Sequence, residues 1–148
     1  MKEFKILVFE LNKELYATDI MEVERILGYE IPTQLPESPE FLDGVIKYED
    51  GILPIINLAN KFKLKSKAIS DENKLIVIKK QVGKFAILVD SVCEVININE
   101  EDIDDPRTIS TFISQKYIKG LVKKEKKIII ILDLSKILTE EEEEAIVF

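Results

Sequence analysis

Three aspartates, Asp19, Asp90 and Asp133, each close an apolar run. Carboxylates placed together at strand ends can do acid–base work. The same positions suit a commoner task, because an aspartate after a strand accepts backbone N–H bonds and caps the next turn. We take the capping reading. A denser acidic set, Glu100, Glu101, Asp102, Asp104 and Asp105, could offer oxygens to a hard cation. It lacks the ligand spacing and central glycine of a calcium loop, so a solvated loop is expected. The single cysteine, Cys93, lies in Val92-Cys93-Glu94-Val95 and reads as a buried structural thiol rather than a nucleophile. An internal disulfide is excluded. Histidine is absent, which removes serine–histidine and cysteine–histidine catalysis and any histidine metal ligand. The five glycines fit no phosphate-loop spacing. No nucleophile, base and orienting group come together, so a binding module without a cofactor or a metal is the expectation, not an enzyme.

Charge and hydropathy narrow the partners. A net charge of −7 argues against nucleic acid, which rewards clustered Lys and Arg. The one basic cluster, Lys123, Lys124, Lys126 and Lys127, reads as a solvated hairpin turn before an apolar strand. No apolar run approaches the ~20 residues that span a bilayer, so no membrane insertion is expected. The first residues, with Lys2, Glu3 and Lys5, carry no signal-peptide pattern, and a cytoplasmic location is the default.

The elements that would position a binding surface repeat. Residues 44–58 run glycine, two apolar residues, a polar turn, then an apolar strand ending Asn57-Leu58; residues 120–134 follow the same plan and end Asp133-Leu134. Upstream, Ile6-Leu7-Val8-Phe9 with Leu15-Tyr16-Ala17 is echoed by Leu75-Ile76-Val77-Ile78 with Lys84-Phe85-Ala86. The offsets are 76 and 69 residues. A hairpin plan repeated once argues for two related β units in one compact body. Apolar residues at 20, 23, 26 and 27 after Asp19 suggest a short helix that Gly28 stops, with strand continuation through Ile20 as the other reading. Pro32, Pro36 and Pro39 mark an extended connector, and residues 38–43 read as a capped single helical turn. The run 52–58 is apolar on both parities and should be covered on both faces. Pro54 places an edge or a bulge in it. Residues 57–64 suggest a short helix, 108–119 are ambiguous, and Thr139 with Glu142 forms a capping-box pair.

The order of several short motifs resembles the CheW family. They are Val8-Phe9-Glu10-Leu11, Leu15-Tyr16-Ala17-Thr18-Asp19-Ile20, Val23-Glu24-Arg25-Ile26, the stretches 39–46 and 52–58, Ile87-Leu88-Val89-Asp90, Tyr117-Ile118-Lys119-Gly120 and Ile130-Ile131-Leu132-Asp133-Leu134. The resemblance spans nearly the whole chain. It implies a mainly β fold of two small five-stranded β barrels packed together, with a few short helices. It implies one domain over residues 1–148, with approximate halves at 14–65 and 74–138. It implies a non-enzymatic scaffold that couples methyl-accepting chemoreceptors to the regulatory domain of the CheA histidine kinase, at membrane-associated receptor arrays. The family's partner-binding positions fall here on Val23, Gly44 and Glu49, with Ile26, Pro54 and Ile56 as further candidates. At Glu49 the family usually carries arginine, so the charge is reversed. A like-charge contact with an unchanged partner costs several kcal/mol. Glu49 therefore leaves open an adaptor for a different or altered kinase pathway. A small barrel enzyme or ligand-binding protein is a third reading, disfavoured by the missing catalytic set.

Overall fold

The computed structural model describes residues 2–65, 68–80, 83–105 and 116–146. Ten strands are assigned among them: β1 (Glu3–Leu11), β2 (Glu14–Asp19), β3 (Val23–Gly28), β4 (Leu42–Tyr48), β5 (Gly51–Asn57), β6 (Lys74–Lys79), β7 (Lys84–Val89), β8 (Ser91–Asn99), β9 (Ile118–Lys124) and β10 (Lys127–Leu132). Two short helices, α1 (Leu58–Lys61) and α2 (Glu140–Ala145), accompany them. The fold is mainly β with two five-stranded sheets, as expected. Sheet I runs β8-β1-β2-β10-β9 and sheet II runs β3-β6-β7-β5-β4.

The repeat is real, but its two copies interleave. Sheet I takes β1 and β2 from the first copy and β8, β9 and β10 from the second; sheet II takes the complement. Replacing each strand by its repeat partner converts the order of sheet I into that of sheet II. Details repeat as well. Thr33 bridges Val45 as Asp104 bridges Leu121. Asn57 N–H donates to the Phe41 carbonyl at 2.7 Å, and Asp133 N–H to the Tyr117 carbonyl at 2.9 Å. The contiguous halves 14–65 and 74–138 are therefore not the structural units. The chain crosses between sheets at Asp19 and again at Asp90, and two parallel ladders lock the exchange. In sheet I, Ile129, Ile130 and Ile131 pair with Leu15, Tyr16 and Ala17. In sheet II, Ile55, Ile56 and Asn57 pair with Ala86, Ile87 and Leu88.

Among the described residues neither sheet closes into the expected barrel by a strand ladder. In sheet I the edges β8 and β9 flank a cavity of about 740 Å³, lined by Ile96, Ile98 and Val122 among others. The Asp104–Leu121 bridge shuts one end of this gap, and a Lys124–Glu94 ion pair of 2.7 Å spans the other.

Strand parity sorts the core into three clusters. Ile6 and Val8 of β1 join Ala17, Ile129 and Ile131 inside sheet I. Leu75 and Val77 of β6 join Leu53, Ile55 and Ala86 inside sheet II. The opposite parity, Leu7, Phe9, Ile56, Ile76, Ile78, Phe85 and Ile87, fills the central cluster. Period-two side-chain alternation makes this sorting automatic once a strand is covered on both faces. An aromatic row from Phe9 through Tyr16 and Phe62 to Tyr117, with centroids 5.1–6.1 Å apart, runs through the same layer. Helix α2, capped by the expected Thr139/Glu142 box, is tied down through Lys61–Glu142 and Lys80–Glu143.

Local expectations mostly hold, and the departures have physical causes. Asn12 and Lys13 take φ of 52° and 66°, the mirror-image hairpin turn between β1 and β2. Asp19 and Asp133 cap the Met21 and Ser135 N–H groups as expected, and Asn57 caps Asn60, but Asp90 does not cap the turn after it: its carboxylate accepts the Asn12 N–H of the distant β1–β2 turn at 2.8 Å. Residues 20–27 are not a helix: a 3-10 turn at Ile20–Glu22 precedes strand β3. A register shift between Val23 and Arg25 leaves Glu24 as a bulge, which breaks the alternation and imitates helical spacing. The stretch 38–43 forms a turn, with Leu42 N–H on the Pro39 carbonyl at 3.0 Å, in place of a helical turn. Cys93 is exposed, not buried, because β8 carries the equivalent bulge at that residue. Pro54 faces Val45, whose N–H and C=O bond outward to Thr33, so no ladder bond is lost on that side. The ambiguous stretch 108–119 is described only from residue 116, and Ile118 opens β9.

Gly44 and Gly120 are repeat partners with different constraints. At Gly44 φ is +138° and a Cβ would lie 2.2 Å from the Thr33 carbonyl oxygen. At Gly120 φ is not in the positive region, and a Cβ would lie 2.2 Å from the Ile103 Cγ2 methyl and 3.1 Å from the Asp104 carbonyl oxygen, so the closest clash is with a side chain rather than with backbone. Gly44→Ala should cost about 2–4 kcal/mol in urea unfolding, and Gly120→Ala clearly less. Equal losses would show that backbone strain at Gly44 is not the controlling factor.

Candidate partner-binding site

Lys84 stands at the entry to β7, where it reaches both the β3 bulge and the β4–β5 turn. Its ammonium lies 2.9 Å from Glu24 and 3.0 Å from Glu49. Tyr48, closing β4, donates its hydroxyl to Glu24 at 2.6 Å. The Arg25 guanidinium and the Lys84 ammonium each lie 5.6 Å from the Tyr48 ring centroid, within cation–π range. These groups shape one another's ionisation. The Tyr48 hydroxyl, then the Lys84 ammonium, hold the Glu24 carboxyl below its ordinary pKa. The Lys84 ammonium is held above its own by Glu24 and then Glu49. Glu49 takes φ of 53°, an uncommon conformation for a side chain larger than asparagine.

The six candidate residues separate cleanly. Glu49 is exposed at the turn and Ile26 is 42% exposed on the edge strand β3. Val23 is half-buried and packs against the central cluster. Gly44, Pro54 and Ile56 are buried. Ile56 is 0% exposed and Pro54 lies inside β5, so neither presents a side chain to a partner. Both stand in the strand that holds the two repeat copies together, which explains their apolar character without a contact role. Gly44 serves the close approach of the Thr33 backbone. The structure thus brings Val23 and Glu49 to one end of sheet II, together with Glu24, Arg25, Tyr48 and Lys84, which sequence reading missed, while Ile26 lies further along the β3 edge, opposite Ile76. A signal for Lys84 existed, since it opens the strand that repeats β2, but its two carboxylate partners come from distant segments.

The repeat places a related arrangement on sheet I. Glu94 and Lys124 occupy the positions of Arg25 and Tyr48 and form the ion pair already described. Val95, the partner of Ile26, is 49% exposed. Nearby, partial burial and then the Glu10 carboxylate push the Cys93 thiol up, which keeps it protonated and a poor nucleophile. Among the described residues no group of histidine, cysteine and carboxylate side chains could hold a metal. No helix of the described residues is long and apolar enough to cross a membrane. The geometry can dock an apolar partner edge beside fixed charges.

A CheW-like domain family model matches residues 5–142. The chain belongs to the CheW-like domain family. It is 35% identical over 143 residues to the chemotaxis protein CheW of Thermotoga maritima, covering 95% of this chain and 91% of that protein. It is 28% identical over 145 residues to the Treponema pallidum chemotaxis protein CheW, covering 95% and 85%. The crystal structure of the scaffolding protein TtCheW from Thermoanaerobacter tengcongensis superposes with a TM-score of 0.87 at 32% identity, covering 96% of this chain and 92% of that one. As a member of the CheW-like family the chain is a non-enzymatic scaffold of chemotaxis signalling.

Just before β3, Glu22 sits in a strained electrostatic position. Thr18, fully buried, donates its hydroxyl to Glu22 at 2.8 Å. Burial pushes the Glu22 carboxyl up from its ordinary value, and neighbouring Asp133 adds to the shift, against the Thr18 and Leu134 hydrogen bonds and Lys119. A raised folded pKa gives stability that is fully present below the unfolded pKa, about 4.3, and is lost as pH rises through the folded value. Glu22→Gln should therefore gain on the wild type, in urea midpoint, as pH rises from about 4 to about 7. A difference that stays constant with pH would remove Glu22 from the balance.

Proposed function

We propose that this chain couples chemoreceptors to the CheA histidine kinase by docking on the CheW-like regulatory domain of that kinase. What supports this reading above all is the CheW-like match over residues 5–142. It is joined to a surface with fixed docking features, the edge strand β3, exposed Ile26 and the Glu49–Lys84 pair. The two sheets carry related edges at Ile26 and Val95, which suits a scaffold that must hold more than one partner. Association with membrane-bound receptor arrays follows from the proposed receptor partner.

The reversed charge at Glu49 takes a defined form in this reading. A partner meets a Glu49–Lys84 pair rather than a lone negative charge. Exposed pairs of this kind contribute little to stability, so the pair is free to serve specificity. Glu49→Arg sets a second cation beside Lys84 and should change association more than stability.

The test is a calorimetric titration of the full chain against the regulatory domain of the CheA kinase from the same genome. Saturable binding is expected. Ile26→Asp should weaken it about tenfold or more, the scale of an interface anchor, with an unchanged circular dichroism spectrum. Ile26 is a cleaner probe than Val23, whose side chain also packs against the central cluster. Full affinity in the Ile26 variant would take β3 out of the site, and an absence of binding between two folded partners would overturn the proposal.

A further inference from the structure

The opposite end of sheet II, away from Glu49, holds a cavity of about 320 Å³ lined by none of the six candidate partner-binding residues. Its size falls in the range of pockets that take a side chain or a small ligand. Asp43, at the start of β4, and Asp90, at the second crossing, both line it, and no lysine or arginine does. Asp43 is half-buried. Among the described residues its carboxylate accepts from the neutral Asn57 amide, at 3.2–3.3 Å. Burial raises its pKa against the Asn57 hydrogen bonding, as expected of a carboxylate partly withdrawn from water. Asp90 accepts the Asn12 N–H at 2.8 Å, through one oxygen. The Tyr29 phenol shares the cavity, and burial followed by the charge of Asp43 raises its pKa as well.

The walls are apolar and open outward. Ile31 is 86% exposed and Ile69 is 49% exposed, and they reach the same cavity from two separate connectors. Single exposed isoleucines need no explanation, but two at the mouth of one acidic cavity describe a surface with an apolar rim and a negative floor. A free polar amine would use the floor and leave the rim wet. A protein segment with a basic side chain between apolar neighbours uses both.

We propose that this cavity receives a lysine or arginine side chain from an apolar segment of a partner protein, with the cationic head between Asp43 and Asp90 and the flanking residues on Ile31 and Ile69. Charge-assisted hydrogen bonds in a partly dehydrated pocket are the strong kind, and here both acceptors are carboxylates. Neither Ile26 nor the Glu49–Lys84 pair lines this cavity, so the site stands or falls without them.

The test uses the full chain labelled with nitrogen-15 and three probes: acetyl-Leu-Arg-Leu-amide, acetyl-Leu-Gln-Leu-amide and ethylguanidinium. The arginine peptide should give saturable shifts at the Ile31, Asn57 and Ile69 resonances and bind about tenfold more tightly than either other probe. Asp43→Asn should lower that affinity about tenfold, and added salt should weaken it. Ile31→Ser, at a side chain too exposed to carry the fold, should also weaken it. Equal binding of the glutamine peptide would overturn the cationic assignment. Equal binding of ethylguanidinium, or an unaffected Ile31→Ser variant, would overturn the protein-segment assignment. Shifts confined to other residues, or none at millimolar peptide, would overturn the site.

Discussion

Two parallel three-residue ladders, β2 with β10 and β5 with β7, are the constraint on which the rest of the molecule depends. Each joins a strand from one repeat copy to a strand from the other. Without them the hairpins β9–β10 and β4–β5 would lose their ladders to the rest of each sheet, and only the antiparallel β1–β8 and β3–β6 pairs would still join the two copies. With them, every central strand gains a neighbour on both sides and a core on both faces. The three clusters follow, and so does the near-continuous apolar character of residues 52–58 and 128–134. A parallel ladder cannot form between strands joined by a tight turn, so strand exchange between the copies is a direct way to obtain one.

The same constraint decides what remains available for function. Interior strands are used up by packing, which is why Ile56 is fully buried while Ile26, on an edge, is not. Edges of a sheet are an aggregation hazard unless managed by bulges and charge. Both β3 and β8 carry a bulge at the same relative place and a charged residue just after it, Arg25 and Glu94. These devices give each edge a specific polar partner, Tyr48 for Arg25 and Lys124 for Glu94. A scaffold needs surfaces that reject casual pairing and accept a chosen one, and edges guarded in this way meet both demands.

Much of the fold was legible in the sequence where the signal is local. The Asp19 and Asp133 caps, the Thr139/Glu142 box and the hairpin plan within each repeat copy all depend on residues within a few positions of each other. The strand exchange was not legible, because contiguity in sequence says nothing about which of two identical-looking copies a strand will join. The bulge at Glu24 hid β3 behind a helical spacing, and the bulge at Cys93 turned an apparently buried thiol outward. For the site, the family resemblance directed attention to Glu49 but gave no sign of Lys84, whose pairing needs β3, β7 and the β4–β5 turn in place at once. Pro54 and Ile56 illustrate the opposite failure: an apolar residue in a two-sided strand carries the same sequence signal whether it meets its own core or a partner.

The central claim is that the two sheets are one interlocked unit rather than two domains that touch. Amide hydrogen exchange at increasing urea tests it directly, with Ala17 and Ile131 reporting on sheet I and Ile55 and Ile87 on sheet II. Interlocked sheets must open together, so the four amides should converge on one opening free energy with one urea dependence. Two distinct values, one for each sheet, would show that each sheet can unfold while the other stands, and would contradict the account.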